Sequence, residues 1–218
     1  MKKVLIAGSS GMIGGLVLEA SLASDQVREV VVLVRKQLAV SNKKLKQIII
    51  DDFVSYDNQL EAFKNLDAAY FCLGVYTGQV SDGLFKLIIV DYAVEFAKRV
   101  HTYSPKAKMC LLSGAGADRS EKSKTSFARY KGMAENQISA LGMEFYSLRP
   151  GYIYPVAPRE EPNFMYRISR LLYPILRLFG DGMSIRSDDL AKALFKTGLE
   201  GASTEVLENK DILNVLRK

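Results

Sequence analysis

The amino-acid sequence predicts a doubly wound α/β fold, in which helices cover both faces of a parallel sheet. Three observations carry this prediction. Apolar runs alternate with segments of helical periodicity, several runs are continuously apolar or β-branched, and a glycine-rich turn joins the first run to the first helix. Strands separated by helices of this length imply right-handed crossovers. At 218 residues the chain suits a single domain.

The first part of the chain supplies four strands. The first strand is "KKVLIAG", and helical spacing follows in "MIGGLVLEASLAS". The β-branched run "EVVVLVR" is the second strand, and "KQIIIDD" at 46–52 is the third. The segment "NQLEAFKNL" then predicts a helix, and "DAAYFCLG" predicts the fourth strand.

The second part predicts two more strands and a looser tail. A long helix is expected through "LFKLIIVDYAVEFAKRVHTYS", followed by the strand "KAKMCLLSG", the helix "KTSFARYKGMAENQISALG" and the strand "MEFYSLRPG". The tail begins with the loop "YIYPVAPREEPN" and the helix "FMYRISRLLYPILRLFG". It ends with the helix "SIRSDDLAKALFKTGLE", N-capped by Ser187, and a short strand and turn in "TEVLENKDILNVL". We expect a cofactor-binding core over 1–155 and a substrate-side tail over 156–218.

Composition narrows the class of protein. The chain is 48% hydrophobic and 25% charged, as soluble globular domains are. Cys72 and Cys110 lie in apolar runs, which favours a reduced, cytoplasmic protein. The first 24 residues resemble a secretory signal, but four glycines and two serines interrupt the apolar stretch, and a strand-glycine-helix unit explains them better.

The charge pattern argues against several kinds of partner. The net charge is +6, and basic residues gather at 35–47 without the interleaved aromatics that nucleic-acid binding favours. The single histidine, His101, falls near the end of the long helix, and no ligand cluster predicts a metal site. Arg167, Arg170 and Arg177 could rest on an anionic membrane, but Pro174 interrupts that helix, and a pocket wall or a dimer contact is the expected role.

The turn "GSSGMIGG" carries the first functional signal. In such a turn the first glycine permits a tight bend, the second lets the backbone approach a pyrophosphate, and the third lets helix pack on strand. The N–H groups at the start of the helix can then bind the phosphates of a dinucleotide. The predicted cofactor-binding residues here are Gly8, Ser9, Ser10, Gly11, Met12, Ile13 and Gly14. The alternative is a glycine-rich turn without a ligand.

Arg35 and Lys36 end the second strand and indicate which dinucleotide is bound. An acid at this point would grip the ribose 2′-hydroxyl of NAD, whereas an arginine accommodates the extra phosphate of NADP. Arg35 follows Gly14 by about 20 positions, as this role requires. The sequence therefore predicts a preference for NADPH over NADH, with a solvent-facing basic loop as the alternative.

The glycine spacing G-x-x-G-x-x-G resembles that of the short-chain dehydrogenase/reductase superfamily, in its extended and atypical branches. The resemblance covers roughly residues 3–155 and, more loosely, the tail. It implies that Asp52 and Phe53 contact the adenine and that Cys72, Leu73 and Gly74 line the adenine ribose. Asp52 could instead cap the following turn.

The same resemblance identifies a candidate catalytic group. It implies that Ser113 polarises the substrate oxygen and that Lys131 binds the nicotinamide ribose, while the proton-donating tyrosine four residues before the lysine is replaced by Phe127. Tyr130 is the local substitute for the missing acid, with packing or solvent exposure as its other reading. Ser113 could merely turn the chain, and Lys131 could lie on a solvated helix face.

The segment "SLRPGYIYP" resembles the stretch after the sixth strand in the same branches. It implies that Pro150, Gly151 and Tyr152 contact the nicotinamide side of the cofactor, although aromatic packing is the favoured single role for Tyr152. Together with "CLG", "LLSGAGAD" and the pair Lys131-Gly132, this segment is similar to Tat-interacting-protein oxidoreductases and NmrA-like proteins.

These observations predict an NADP-dependent oxidoreductase of atypical short-chain type, acting on a small carbonyl-type substrate. The alternative is a non-catalytic NADP-binding sensor or regulator that binds a protein partner, because Phe127 replaces the proton-donating tyrosine of the motif. Epimerase or dehydratase action on a nucleotide sugar is a third, weaker reading, since the chain is short for it. A homodimer is compatible with either function.

Overall fold

A computed structural model describes residues 1–76, 78–156 and 182–217 of the chain. Its elements in chain order are β1 (Lys2–Ala7), α1 (Met12–Ala23), β2 (Val27–Val34), β3 (Leu45–Ile49), a 3-10 helix (Leu60–Phe63), β4 (Ala68–Phe71), α2 (Asp82–Lys86), a π-helical turn (Leu87–Asp91), α3 (Tyr92–Tyr103), β5 (Lys108–Leu112), α4 (Ser126–Ser139), β6 (Phe145–Arg149), β7 (Tyr152–Tyr154), β8 (Ser184–Arg186), α5 (Ser187–Glu200), β9 (Val206–Glu208) and α6 (Asn209–Arg217).

Seven of these strands form one sheet in the order β3-β2-β1-β4-β5-β6-β9, and each neighbouring pair is parallel. The chain runs outward from β1 to β3, then returns to the other side of β1 and continues outward from β4. Ligands of such sheets bind where the strand order reverses, outside the carboxyl ends of the strands. The predicted doubly wound fold is confirmed, and the reversal lies between β1 and β4.

Alternating side chains on the strands build a separate core on each face of the sheet. On β1, Leu5 joins the core beneath α3 and α4, whereas Val4 and Ile6 join the core beneath α1 and α5. The strands are therefore buried on both faces, which explains why their sequences are continuously apolar. Two apolar layers hold the carboxyl ends of the strands in a fixed arrangement.

Two helices differ from the sequence-based expectation. The segment predicted as a helix at 58–66 contains only the 3-10 helix, because Asn65 adopts a left-handed φ of 57° and the chain turns away there. The expected long helix is present, but it begins at Asp82 and includes the π-helical turn between α2 and α3.

Part of the predicted tail belongs to the main sheet. The expected last strand is β9, which pairs with β6, and α5 packs against the same face as α1. Gly198 on α5 leaves room for Tyr70, whose hydroxyl donates to the Phe195 carbonyl at 2.9 Å. Ser187, the expected N-cap, is instead the first residue of α5, and its hydroxyl accepts a hydrogen bond from the Val156 N–H.

Candidate functional site

The glycine turn after β1 is shaped by contacts that leave no room for side chains. Gly8 has a φ of +90°, and a Cβ there would lie 2.7 Å from the Cys72 carbonyl carbon at the end of β4. A Cβ on Gly14 would lie 2.2 Å from the Gly8 carbonyl oxygen. These two glycines therefore let the turn pass against β4 and let α1 start directly above the turn.

The same turn offers polar groups to an anion. α1 begins at Met12 with Gly11 as its N-cap, so no capping side chain covers the helix start. The Ser9 hydroxyl is buried and has no hydrogen-bond partner among the described residues, whereas Ser10 is exposed. An uncapped helix N-terminus with an unpartnered buried hydroxyl beside it fits a phosphate group.

One cavity of about 720 Å³ opens at the carboxyl ends of the strands, beside the point where strand order reverses. Its volume is within the usual range of small-molecule and cofactor sites. Eleven of the predicted site residues line it, namely Gly11, Met12, Ile13, Cys72, Leu73, Gly74, Ser113, Lys131, Pro150, Gly151 and Tyr152. Segments that are far apart in sequence are thus brought to one site.

Lys131 lies on α4 and lines this cavity. The side chain is buried, and Nζ donates to the Leu112 carbonyl at 3.0 Å. Burial lowers the pKa of Lys131 to about 8, while the Glu135 carboxylate and the Cys72 thiol act in the opposite direction. Burial also raises the pKa of the Cys72 thiol, to about 12. Lys131 therefore loses its proton near pH 8, below the usual range of a lysine, and is mainly charged at neutral pH.

Ser113 also lines the cavity, but its hydroxyl proton is already engaged. Ser113 Oγ donates to Glu135 Oε1 at 2.6 Å. The hydroxyl has one proton, so it cannot polarise a substrate carbonyl while this bond exists. The structure therefore brings Ser113 to the expected place, although in an orientation that differs from its predicted role.

Phe127 occupies the position of the missing acid and faces the cavity. Its ring packs over Gly114, where an added Cβ would lie 2.6 Å from the ring tip, Cζ. Tyr130, the predicted substitute, does not line the cavity: it is buried on the side of α4 that faces α2, and its hydroxyl donates to Asp82 Oδ2 at 2.5 Å. The helical rotation between positions 127 and 130 turns Tyr130 toward α2 and away from the cofactor cavity.

Glu135 is the residue that sequence reasoning missed. Its carboxylate is fully buried and accepts hydrogen bonds from Ser113, Ser147, Arg149 and Arg119.

The sequence held one signal for Glu135, which is its position on α4. Glu135 follows Lys131 by one helical turn and lies between Ala134 and Ile138 on the inward side of the helix. A charged residue on a buried stripe is unusual and marks a special environment.

The Lys131-Gly132 pair has a geometric explanation. A Cβ on Gly132 would lie 1.8 Å from the Asp118 carbonyl oxygen, so the loop after β5 rests directly on α4. Asp118 organises this loop by accepting hydrogen bonds from the N–H groups of Ser120 and Ser123. The close approach places Arg119 within reach of Glu135.

Four predicted cofactor residues belong neither to the cavity lining nor to the glycine turn. Arg35 and Lys36 are exposed at the end of β2, and Gln47 holds the chain that follows them by bonding both the N–H and the carbonyl of Leu38. The exposed Asp52 caps the next turn, accepting from the Val54 N–H at 2.9 Å, which was its alternative role. Phe53 is buried in the core against the Tyr92 ring.

The bend after β6 is fixed from below. Gly151 donates its N–H to Asn209 Oδ1, and the Asn209 amide donates to the Ser184 carbonyl, so one buried side chain joins the bend, β8 and α6. A Cβ on Gly151 would lie 2.4 Å from the Met183 carbonyl oxygen. Tyr152 follows in β7 with its N–H bonded to that same carbonyl group.

The basic helix with Arg167, Arg170 and Arg177 lies outside the described residues. In the described ranges, no helix combines the length and apolar character needed to cross a membrane. Within the same ranges, no three His, Cys, Asp or Glu side chains are grouped as metal ligands would be. His101 lies in the last turn of α3, as predicted.

The sheet order and the position of the cavity at the strand reversal are those of a Rossmann-like, doubly wound α/β fold. No family model matches the chain. It is similar to two proteins named "Protein fmp52, mitochondrial", with 29% identity in Emericella nidulans and 27% in Aspergillus clavatus, each covering 94% of this chain and 91% of the relative. Protein HTATIP2 of Rattus norvegicus is 26% identical, covering 98% of this chain and 89% of the relative.

Solved structures share the fold at low sequence identity. Gre2 of Candida albicans, solved in complex with NADPH, has a TM-score of 0.71 and 14% identity, covering 95% of this chain and 78% of its own. WbmH of Bordetella bronchiseptica, solved with NAD⁺, has a TM-score of 0.70 and 15% identity, covering 98% and 79%. A putative NAD-dependent epimerase/dehydratase from Bacillus halodurans has a TM-score of 0.65 and 15% identity, covering 98% and 99%.

These comparisons confirm one prediction and overturn another. The resemblance to extended short-chain dehydrogenases/reductases is confirmed, and the HTATIP2 match fits the predicted similarity to Tat-interacting-protein oxidoreductases. The similarity to NmrA-like proteins stays a prediction. The expected cytoplasmic location is contradicted, because both fungal relatives are named mitochondrial proteins. Reduced cysteines and an apolar core do not distinguish these compartments, so the sequence reasoning had no signal for the difference.

Proposed function

We propose that this chain is an NAD(P)-dependent oxidoreductase of the short-chain dehydrogenase/reductase type, which prefers NADP and acts on a small carbonyl or alcohol substrate. The observation that carries the proposal is the single cavity that joins the glycine turn, the end of β4, Lys131 and the bend at Pro150-Gly151. A dinucleotide needs a phosphate site at one end and a place for its nicotinamide at the other. This cavity offers both.

The phosphate end has the more distinctive chemistry. The uncapped start of α1 and the buried, unpartnered Ser9 hydroxyl would hold the pyrophosphate, and Gly8 and Gly14 let the turn and α1 pack closely enough to form this site. The cofactor supplies the hydride chemistry when bound. Arg35, exposed at the end of β2, would meet the 2′-phosphate of NADP.

The nicotinamide end assigns different tasks to the chain's own residues. Lys131 would hold the ribose through its ammonium group, as its position on the cavity wall allows. Phe127 and Ile89 exclude water from this end with apolar surface. Tyr130 is assigned a structural role here, because its hydroxyl is bonded to Asp82 outside the cavity.

The names of the fungal relatives add a proposed location. Both are called mitochondrial, and we therefore infer that this chain works in a mitochondrion. A homodimer or a protein partner stays a prediction from the sequence.

The test is direct. Purified protein is titrated with NADPH and with NADH by following nucleotide fluorescence, and NADPH oxidation at 340 nm is then measured over a panel of aldehydes, ketones and quinones. We expect tighter binding of NADPH and turnover of at least one class of acceptor. Binding without any turnover would replace the oxidoreductase with a sensor, and no binding of either nucleotide would remove the proposal entirely.

A further inference from the structure

Glu135 is surrounded by more hydrogen-bond donors than its location in a helix would suggest. Oε1 accepts from the hydroxyls of Ser113 at 2.6 Å and Ser147 at 2.7 Å, and from Arg149 Nε at 3.0 Å. Oε2 accepts from Arg119 Nε at 2.9 Å and from a second nitrogen of Arg149. The carboxylate thereby joins the ends of β5 and β6 and the loop after β5 to α4.

The network keeps Glu135 ionised and immobile. Burial by itself would raise the pKa of Glu135, but the hydrogen bonds from Arg149, Ser113, Ser147 and Arg119 hold it below its usual range. A carboxylate in this setting is a fixed negative charge, and its two arginine partners are themselves anchored, Arg119 to Glu205 and Arg149 to Glu208.

This fixed charge determines how Ser113 faces the cavity. A hydroxyl that donates to a carboxylate forms a stronger bond than one that donates to a neutral carbonyl. Ser113 therefore keeps its proton on Glu135 and presents oxygen lone pairs to the cavity. The group that Ser113 contacts in the cavity has to be a hydrogen-bond donor, such as a hydroxyl.

The same charge acts on Lys131. Glu135 follows Lys131 by four residues on α4, so the two side chains share one face of the helix. The other groups beside the ammonium are the Leu112 carbonyl at the end of β5 and the Cys72 thiol after β4, while Arg149 and Arg119 are bonded to Glu135. Of these, Glu135 is the one that carries a negative charge at neutral pH.

We propose that Glu135 is the positioning residue of the cavity: held by Arg119 and Arg149, it fixes the direction of the Ser113 hydroxyl and supplies the counter-charge of Lys131. This inference rests on the proposed function, because it assigns a purpose to Ser113 and Lys131 at the nicotinamide end. It also places a determinant of cofactor binding in a residue that does not itself line the cavity.

The test measures the protonation of Lys131 in the free protein and NADPH affinity separately. Protein with isotopically labelled lysine is titrated by NMR, and the Lys131 signal is identified by its loss in Lys131→Arg. In Glu135→Gln we expect the pH midpoint of Lys131 deprotonation to fall by about one unit, since the negative charge that stabilises the ammonium is removed. NADPH affinity near pH 8 should fall severalfold with it, and Glu135→Asp should restore both in part.

A second variant keeps the test decisive if Glu135→Gln does not fold. Arg119 is partly exposed and forms an ion pair with Glu135. Arg119→Gln removes this positive charge, so the pH midpoint of Lys131 deprotonation should move upward. The matched control is Glu205→Gln, which removes the outer partner of Arg119 and should leave the midpoint in place. A Lys131 midpoint that is the same in Arg119→Gln and in every folded Glu135 variant would overturn the inference. Absence of NADPH binding with a shifted midpoint would instead reject the proposed function.

Discussion

The two ends of the cavity are built in opposite ways. The glycine turn (residues 8–14) is made of backbone, with close approaches at Gly8 and Gly14 and an uncapped helix start. The nicotinamide end is made of side chains that already bond one another, as Ser113 does with Glu135 and Lys131 with the Leu112 carbonyl. The glycine turn offers unbonded N–H groups to an anion. At the nicotinamide end, a ligand has to bind side chains whose hydrogen bonds to other protein groups are already formed.

The difference shows which part of the proposed function the described residues can supply most completely. A phosphate site can be built from backbone N–H groups alone, and the uncapped start of α1 supplies them. Proton transfer needs a donor at one point, and Phe127 provides a phenyl ring there. Cofactor binding and proton chemistry are therefore separable in this molecule, and variants at each end should affect them independently.

The largest expected effect is at the glycine turn. In Gly14→Ala the new methyl group would lie 2.2 Å from the Gly8 carbonyl oxygen, so the turn or α1 must move. We expect the free energy of unfolding to fall by about 3 kcal/mol and NADPH affinity to fall by about 100-fold, because the phosphate site loses its shape. Denaturant unfolding and a fluorescence titration measure the two effects.

The control for this prediction is Gly83→Ala on α2. Nothing lies within 4 Å of a Cβ at Gly83, so the substitution should leave NADPH affinity unchanged. Equal affinity in Gly14→Ala and the parent protein would show that the cofactor phosphates bind elsewhere.

The contrast between the two ends also explains what the sequence could predict. The glycine turn is local, so the spacing of Gly8, Gly11 and Gly14 after an apolar strand was enough to locate it. Glu135 depends on Ser113, Ser147, Arg149 and Arg119, which approach it only after β5, β6 and the loop at Gly132 have packed. The sequence could place Tyr130 on α4, but it could not predict which way the side chain points, because its partner Asp82 lies 48 residues away.

The next effect concerns the missing acid. Phe127→Tyr adds a hydroxyl at the ring tip, which already lies close to Gly114, so the ring has to shift slightly to admit it. A positioned general acid contributes about 100-fold or more to a proton-requiring step. We expect NADPH oxidation with aldehydes to rise by about 100-fold, measured at 340 nm under saturating cofactor.

Two controls separate acid catalysis from general loosening of the site. Quinones accept a hydride to give a stabilised anion, so Phe127→Tyr should change their reduction far less than that of aldehydes. Tyr130→Phe should leave both rates in place, because its hydroxyl is outside the cavity. A loss of aldehyde turnover in Tyr130→Phe would return Tyr130 to the role of donor.

A smaller effect is expected at the adenosine end. Arg35→Ala removes an exposed guanidinium next to the predicted 2′-phosphate position, and NADPH affinity should fall by about tenfold while NADH affinity is kept. Lys43→Ala removes the same charge from an exposed position in the same basic segment and serves as the control. If both variants weaken NADPH equally, the preference comes from overall charge, and the specific role of Arg35 is wrong.

The smallest effect compares two serines that donate to the same oxygen of Glu135. Ser113 and Ser147 make bonds of 2.6 and 2.7 Å, yet only Ser113 lines the cavity. Ser113→Ala and Ser147→Ala should each lower the free energy of unfolding by about 2 kcal/mol, since each removes one hydrogen bond to a buried carboxylate. Thermal and denaturant unfolding of the two variants measure this shared cost.

Their functional effects should differ, because only one of the two oxygens faces the ligand. Ser113→Ala should lower the affinity of the NADPH-bound protein for alcohols, the donor ligands that the Ser113 lone pairs accept, while Ser147→Ala leaves it unchanged. These affinities are measured as inhibition constants of alcohols, which bind the NADPH-bound protein in competition with an acceptor that the protein reduces. If Ser147→Ala weakens alcohols as much as Ser113→Ala does, the contribution of Ser113 is stability alone, and the nicotinamide end recognises its ligand through other residues.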